Sequence, residues 1–357
     1  MLFAFQFASG QEDSLTNQKA EIRSYGAGIQ HGFIFAHSEA VENTKGSRPT
    51  GVELTLSKQR IDSAIWQLCN CYPRRGLLFS FYDYDNKVLG KSVTAAYFLE
   101  PVYRLSNRLS FSLKGAAGLS YLSNPFDSIY NQTNLSYSTH ISVYLQLGTG
   151  LWYRLNDHWS LNTSVSYNHE SNGGMKEPNK GINWPTAGLG ISYQPDNPAY
   201  FRGSRTRDKF RNRLPLRWDI TAFTTARRDV DDAGKSNRLM LYGMGVQLAK
   251  QIGRISNLTV GIEGSIDEEI KLELKRDTLD ASNMLAGLTA GHEFILGRIL
   301  FSQKLGIYLF DQTPYHDRLY HRWALMYRIN QHWSAGFSLK AHKHVADYGD
   351  LRVSYSF

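Results

Sequence analysis

From Asp157 to Tyr193 the chain alternates in two registers separated by a loop rich in Gly and Asn. Trp159, Leu161, Thr163, Val165, Tyr167, His169 and Ser171 share one parity, and Ser160, Asn162, Ser164, Ser166, Asn168 and Glu170 the other. Side chains alternate across a strand, so this stretch predicts a strand with one apolar and one polar face. His169 and Ser171 end the apolar face. The returning strand carries Ala187, Leu189, Ile191 and Tyr193 on its apolar parity, and Asn183 and Pro185 fall in the same register.

The same alternation runs through most of the chain. Ile141, Val143, Leu145, Leu147, Leu151 and Tyr153 oppose Ser142, Tyr144, Gln146, Gly148 and Gly150; Phe111, Leu113, Ala117, Leu119 and Tyr121 oppose Ser110, Ser112, Lys114 and Ser120. Strands are predicted to begin near Ile22, Thr50, Leu77, Ser92, Leu109, Thr139, His158 and Thr186, then near Leu216, Asn237, Ser256, Asn283, Arg298, Arg318, His332 and Asp350. That makes about sixteen, with about fourteen or twelve as alternatives, in an all-β, antiparallel up-and-down transmembrane barrel. Three turns repeat one pattern: Tyr103–Ser110, Tyr153–Ser160 and Tyr327–Ser334 each read Tyr-Arg, an aliphatic residue, a polar turn and a new strand. These short turns alternate with longer connections near 39–48, 84–90, 122–137, 172–184, 228–236, 268–282 and 311–317. Short periplasmic turns and long exterior loops mark an outer-membrane barrel, with Tyr and Trp at its interfaces.

Residues 11–357 are read as one closed barrel, with halves at 22–194 and 215–357. Small and polar residues on the inner parity suit a wet lumen. A basic segment, 195–214, joins the halves through Arg202, Arg205, Arg207, Lys209, Arg211 and Arg213 and is expected to be periplasmic. Two smaller barrels would divide there, with Ile22–Ser38 pairing with Tyr193; one barrel requires Ile22–Ser38 to pair with the last strand. The end, Leu351 to Phe357, alternates up to a terminal Phe, as bacterial outer-membrane barrels do for insertion.

Composition changes this picture little. Aromatic residues make up 13% of the chain, and mean hydropathy is -0.39. No run of about 18 apolar residues exists, which excludes a helical span but not a barrel. The net charge of +8 suits lipid phosphates, and no basic patch interleaves with a nucleic-acid reader motif. Residues 1–10, with Leu2–Phe7 followed by Ala8-Ser9-Gly10, read as the remnant of a signal peptide. Cys69 and Cys71 are the two cysteines, expected to be inert strand residues badly spaced for a disulfide. His342-Lys343-His344 lacks companions at metal spacing, and neither a metal nor a cofactor is expected.

The sequence Asn168-His169-Glu170-Ser171-Asn172-Gly173-Gly174, followed by Lys176-Glu177-Pro178-Asn179-Lys180-Gly181-Ile182-Asn183, resembles the signature of the lipid A 3-O-deacylase family. Gly51-Val52-Glu53-Leu54 also looks like the acyloxyacyl hydrolase-like barrel group. The deacylase family forms a small outer-membrane barrel and removes an ester-linked acyl chain from the 3-position of lipid A in the outer leaflet. Carried over by position, Ser171 is the nucleophile and His169 its general base. Asn172, Gly173, Gly174 and Asn179 match positions linked to the oxyanion. Where the family has a Glu that orients the histidine, this chain has Asn183. An amide can fix the ring tautomer but cannot balance imidazolium charge. Lys176 and Lys180 are placed to meet a substrate phosphate.

The expected function is an integral outer-membrane esterase acting on lipid A, or lipopolysaccharide, through a Ser/His site on the lipid-facing wall. The rival is a weakly active or inactive barrel serving as a channel or as an accessory subunit among envelope protein partners.

Overall fold

The computed structural model describes residues 21–173, 176–197, 200, 216–230, 236–343 and 345–357. The putting together of its strands differs from the single barrel expected above. The first set comprises β1 (Glu21–Gly32), β2 (Thr50–Arg60), β3 (Arg74–Asp83), β4 (Lys91–Glu100), β5 (Val102–Arg104), β6 (Leu109–Leu122), β7 (Ile141–Arg154), β8 (Trp159–Ser171) and β9 (Ile182–Tyr193). β4 and β5 both pair with β6 and are separated only by Pro101, which has no N–H to give to a ladder. They form one interrupted stave, so the first barrel has eight.

Its closing seam is β1 against β9, from Tyr25↔Tyr193 to Gly32↔Thr186. The second barrel is β10 (Arg217–Val230), β11 (Ser236–Gly253), β12 (Ser256–Asp267), β13 (Met284–Leu296), β14 (Ile299–Phe310), β15 (Leu319–Arg328), β16 (Trp333–His342) and β17 (Val345–Ser356). It closes by β10 against β17, from Asp219↔Ser356 to Thr224↔Leu351. The chain therefore forms two eight-staved antiparallel barrels, not one of sixteen. The sequence between them, 195–214, falls almost wholly outside the described residues, as do residues 1–20.

The alternation decides which face is which. Val52, Leu54, Leu56, Leu77, Phe79, Phe81, Leu147, Val165 and Leu189 stand exposed on the outer wall. Thr94, Ser112, Ser120, Ser142 and Ser166 are buried inside. Contiguous exposed apolar surface on this scale needs an apolar surrounding, and a closed barrel leaves no unpaired edge to it.

The inner parity is not the wet lumen read from small residues. An eight-staved barrel is just wide enough to be filled by side chains. Tyr82, Tyr84, Tyr144 and Trp184 pack at the long-loop end of the first barrel, with Phe98 further down in the same cluster. Below them Lys114 pairs with Glu53, which also accepts from Gln146 Nε2 at 3.2 Å. In the second barrel the buried Arg322 donates to Glu263 Oε1 at 2.9 Å and Asp350 Oδ2 at 2.7 Å. Buried charges persist there because they are paired.

The three repeated turns fold alike. Leu105 N, Leu155 N and Ile329 N each donate at 2.9 Å to the first carbonyl of the following strand segment, those of Leu109, Trp159 and Trp333. The turn side chains Ser106, Asn156 and Asn330 accept from backbone N–H groups two and three residues on. These are Asx and Ser turns, and they explain why the polar residue recurs at that position.

Two α-helices among the described residues were not foreseen. α1 (Ser63–Cys69) lies between β2 and β3, where Ile65 and Trp66 pack with Ile22, Ile61 and Tyr72 at the short-turn end of the first barrel. α2 (Glu268–Arg276) follows β12 and buries Ile270 and Leu274 against Leu285, Tyr308 and Tyr320. Cys69 ends α1, and Asn70 takes a left-handed φ of 51°. That tight turn sets the Cα atoms of Cys69 and Cys71 5.1 Å apart, and the two form a disulfide. The expectation of inert strand cysteines is thus corrected: the pair sits at a helix end, not in a strand.

Candidate active site

β8 is anchored from inside at the two residues that flank His169. Asn168 Nδ2 donates to Trp184 O at 2.9 Å, while its Oδ1 accepts from Tyr144 OH at 2.8 Å and Gln146 Nε2 at 3.1 Å. Glu170 accepts from Tyr84 OH, which lies in the aromatic cluster beneath. Pinning 168 and 170 inward fixes 169 and 171 outward, because the period of a strand is two.

On the outer wall His169 and Asn183 are direct partners in the β8–β9 ladder. Ser171 Oγ lies 3.0 Å from His169 Nε2, and His169 Nδ1 lies 2.8 Å from Asn183 Oδ1. All three are half-buried, on the parity of Tyr167 and Leu189. Since an amide oxygen only accepts, His169 donates through Nδ1–H, leaving the Nε2 lone pair to accept the Ser171 hydroxyl proton. The arrangement can deprotonate a serine hydroxyl and hold the resulting imidazolium in one orientation.

The loop after β8 shapes the approach. Gly173 adopts a left-handed φ of 67°, and space around it is open. Asn172 N donates to Asn179 Oδ1 at 2.9 Å. The Asn172 side chain is buried and donates to Lys176 O at 2.7 Å and Ser138 Oγ at 3.2 Å, so it braces the loop from the inner parity. Lys176 and Lys180 are exposed on the same loop. Gly174 lies outside the described residues.

Gly181, with φ 75°, presses against the catalytic candidates: a Cβ there would stand 2.9 Å from His169 Cε1. Behind it the 123–140 connection accepts Gly181 N at Ser136 O, 2.7 Å, and Lys180 N at Leu135 O, 3.0 Å. That connection is held by Tyr137, whose buried phenol donates to Leu89 O. Burial pushes this phenol well above its ordinary pKa and keeps it neutral.

One neighbour was missed in sequence. Asn183 Nδ2 lies 3.0 Å from His37 Nδ1. His37 follows β1 and reaches the site only because β1 closes against β9. No local motif marks it.

A largely apolar groove of about 670 Å³ crosses the same wall, lined by Ile29, Phe111, Thr163, Val165, Ala187 and Leu189. Val165↔Ala187 lies four residues along the ladder from His169↔Asn183. Elsewhere, His342 Nε2 lies 3.1 Å from Tyr308 OH, and His344 lies outside the described residues.

Fold and site together define a membrane barrel with a hydrogen-bonded Ser–His–Asn chain on its outer wall. Residues 76–193 match the family model described as lipid A 3-O-deacylase (PagL), and residues 216–357 match that of the acyloxyacyl hydrolase C-terminal domain. The family read from the 168–183 motif is thus the one whose model matches in the first barrel, and the acyloxyacyl hydrolase likeness has its match in the second. The chain is an integral outer-membrane β-barrel protein.

Among solved structures it is similar to the outer membrane enzyme PagL, at 14% identity and a TM-score of 0.33, covering 46% of this chain and 97% of that one. Neisserial surface protein A is similar at 11% identity and a TM-score of 0.33, covering 48% and 96%. No match to the chain is found among curated proteins.

Proposed function

We propose that the first barrel is an esterase that removes an ester-linked acyl chain from lipid A in the outer leaflet. The observation that carries this reading is the unbroken line Ser171–His169–Asn183 on the apolar wall. Ser171 Oγ attacks the acyl carbonyl carbon while its proton passes to His169 Nε2. Collapse of the tetrahedral intermediate breaks the ester C–O bond, and His169 returns the proton to the leaving sugar hydroxyl. Water then hydrolyses the acyl-serine by the same route.

The Gly173 amide and the Asn179 side chain are candidates for the oxyanion, with Asn172 bracing the loop that carries them, and the motif adds Gly174 to the set. Lys176 and Lys180 are set to meet a substrate phosphate. The groove over Val165 and Ala187 gives an acyl chain an apolar track along the wall. Asn183 supplies orientation without charge, so the rate is expected to fall below that of a carboxylate-supported site.

The channel alternative drew its support from a sixteen-stranded lumen. With eight staves per barrel and interiors occupied by Trp184, Arg322 and their partners, that support is gone. Purified protein in detergent, mixed with lipid A, tests the esterase reading: free fatty acid should appear with the native chain and not with Ser171→Ala.

A further inference from the structure

We infer that His37 is a positioning residue of this site, fixing which end of the Asn183 amide meets His169. The inference rests on the esterase reading. A carboxylate in the place of Asn183 would present an acceptor whichever way it turned. An amide has two unlike ends, related by a half-turn of similar shape.

With Oδ1 toward His169, the ring carries its proton on Nδ1 and offers Nε2 to Ser171. With Nδ2 toward His169, Nδ1 must accept, the proton moves to Nε2, and Nε2 donates to Ser171 Oγ. In that state there is no base. Asn183 alone therefore leaves the direction of the chain undecided.

His37 decides it. Its Nδ1 stands 3.0 Å from Asn183 Nδ2 and, in the Nε2–H tautomer that a neutral imidazole favours, accepts from that end of the amide and holds it away from His169. The four groups then donate in one direction, from Ser171 Oγ to His169 Nε2, His169 Nδ1 to Asn183 Oδ1, and Asn183 Nδ2 to His37 Nδ1.

The backbone holds His37 in place for this. Phe33 N donates to Pro185 O at 3.3 Å and Phe35 N to Asn183 O at 2.8 Å, so the chain after β1 runs on alongside β9. Phe33 and Phe35 are exposed on the outer wall, and His37 follows in their register.

The test is a set of full-length variants assayed for acyl release from lipid A, with heat-modifiable migration confirming a folded barrel. His37→Ala should lower kcat by roughly tenfold to a hundredfold with KM little changed. His37→Asp, whose carboxylate only accepts, should recover most of the rate. In an Asn183→Asp background, where both ends accept, His37→Ala should have no effect. An unchanged kcat in His37→Ala, or an equal loss in the Asp background, overturns the inference.

The tautomer of His169, read by nitrogen NMR in micelles, separates this result from the esterase reading. If the native chain hydrolyses nothing, the esterase reading fails, yet His37→Ala should still shift the His169 proton from Nδ1 toward Nε2. A tautomer unmoved by His37→Ala overturns the positioning role.

Discussion

His169 and Asn183 face each other across the β8–β9 ladder, and their side chains meet at 2.8 Å on the outer wall of the first barrel. The contact uses the position where a carboxylate would add charge. Asn183→Leu removes the acceptor and should lower acyl release by about a hundredfold or more, since the base tautomer is then unspecified. Asn183→Glu should keep or raise the rate. Initial rates on lipid A in micelles check both; an Asn183→Leu variant as fast as native would remove Asn183 from the site.

Gly181 is required by geometry. Its φ of 75° costs an alanine about 1–2 kcal/mol, and the new Cβ would meet His169 Cε1 at 2.9 Å. Gly181→Ala should therefore displace the imidazole and lower acyl release by about tenfold, while the barrel still folds. Rate and urea midpoint measured together separate a displaced ring from an unfolded chain.

Each barrel closes on itself, so each should fold without the other. Residues 1–200 and 216–357, expressed separately and refolded into detergent, should both show heat-modifiable migration. A single sixteen-strand closure would leave both fragments with open edges and aggregation.

The site is expected on the cell exterior, at the long-loop end. Cys69 and Cys71 are bonded to each other and are the chain's two cysteines, so introduced thiols are read on a silent background. Asn179→Cys should label with an impermeant reagent on whole cells, and Asn107→Cys, in a short turn, should not. Labelling of Asn107→Cys alone would reverse the topology.

What was legible in the sequence was local. Strand starts at Thr50, Leu109 and Ser256 fall where alternation puts them, because a period of two is written in neighbouring residues. The outward register of His169, Ser171 and Asn183 follows from the same rule. Closure is not local: the strands of two small barrels alternate just as those of one large barrel do. Pairing β1 with the last strand removed His37 from view, since only the β1–β9 seam brings it to Asn183.

A signal for small barrels was nevertheless present. Tyr144, Tyr82 and Trp184 lie on inner parities and are too bulky for walls of a wet lumen, and Glu53 and Lys114 need each other in a filled one. The disulfide was missed with α1, whose Ser63–Cys69 span is too short for a helical period to stand out.

Cleavage of an acyl ester of lipid A by Ser171 is the step on which the proposed function stands. Mass spectra of lipid A from cells expressing the native chain or Ser171→Ala, at equal levels of folded barrel, test it most directly. Loss of one acyl chain's mass is expected with the native chain, and an unaltered spectrum with Ser171→Ala. Identical spectra in the two strains, with the native barrel folded in the outer membrane, would contradict it.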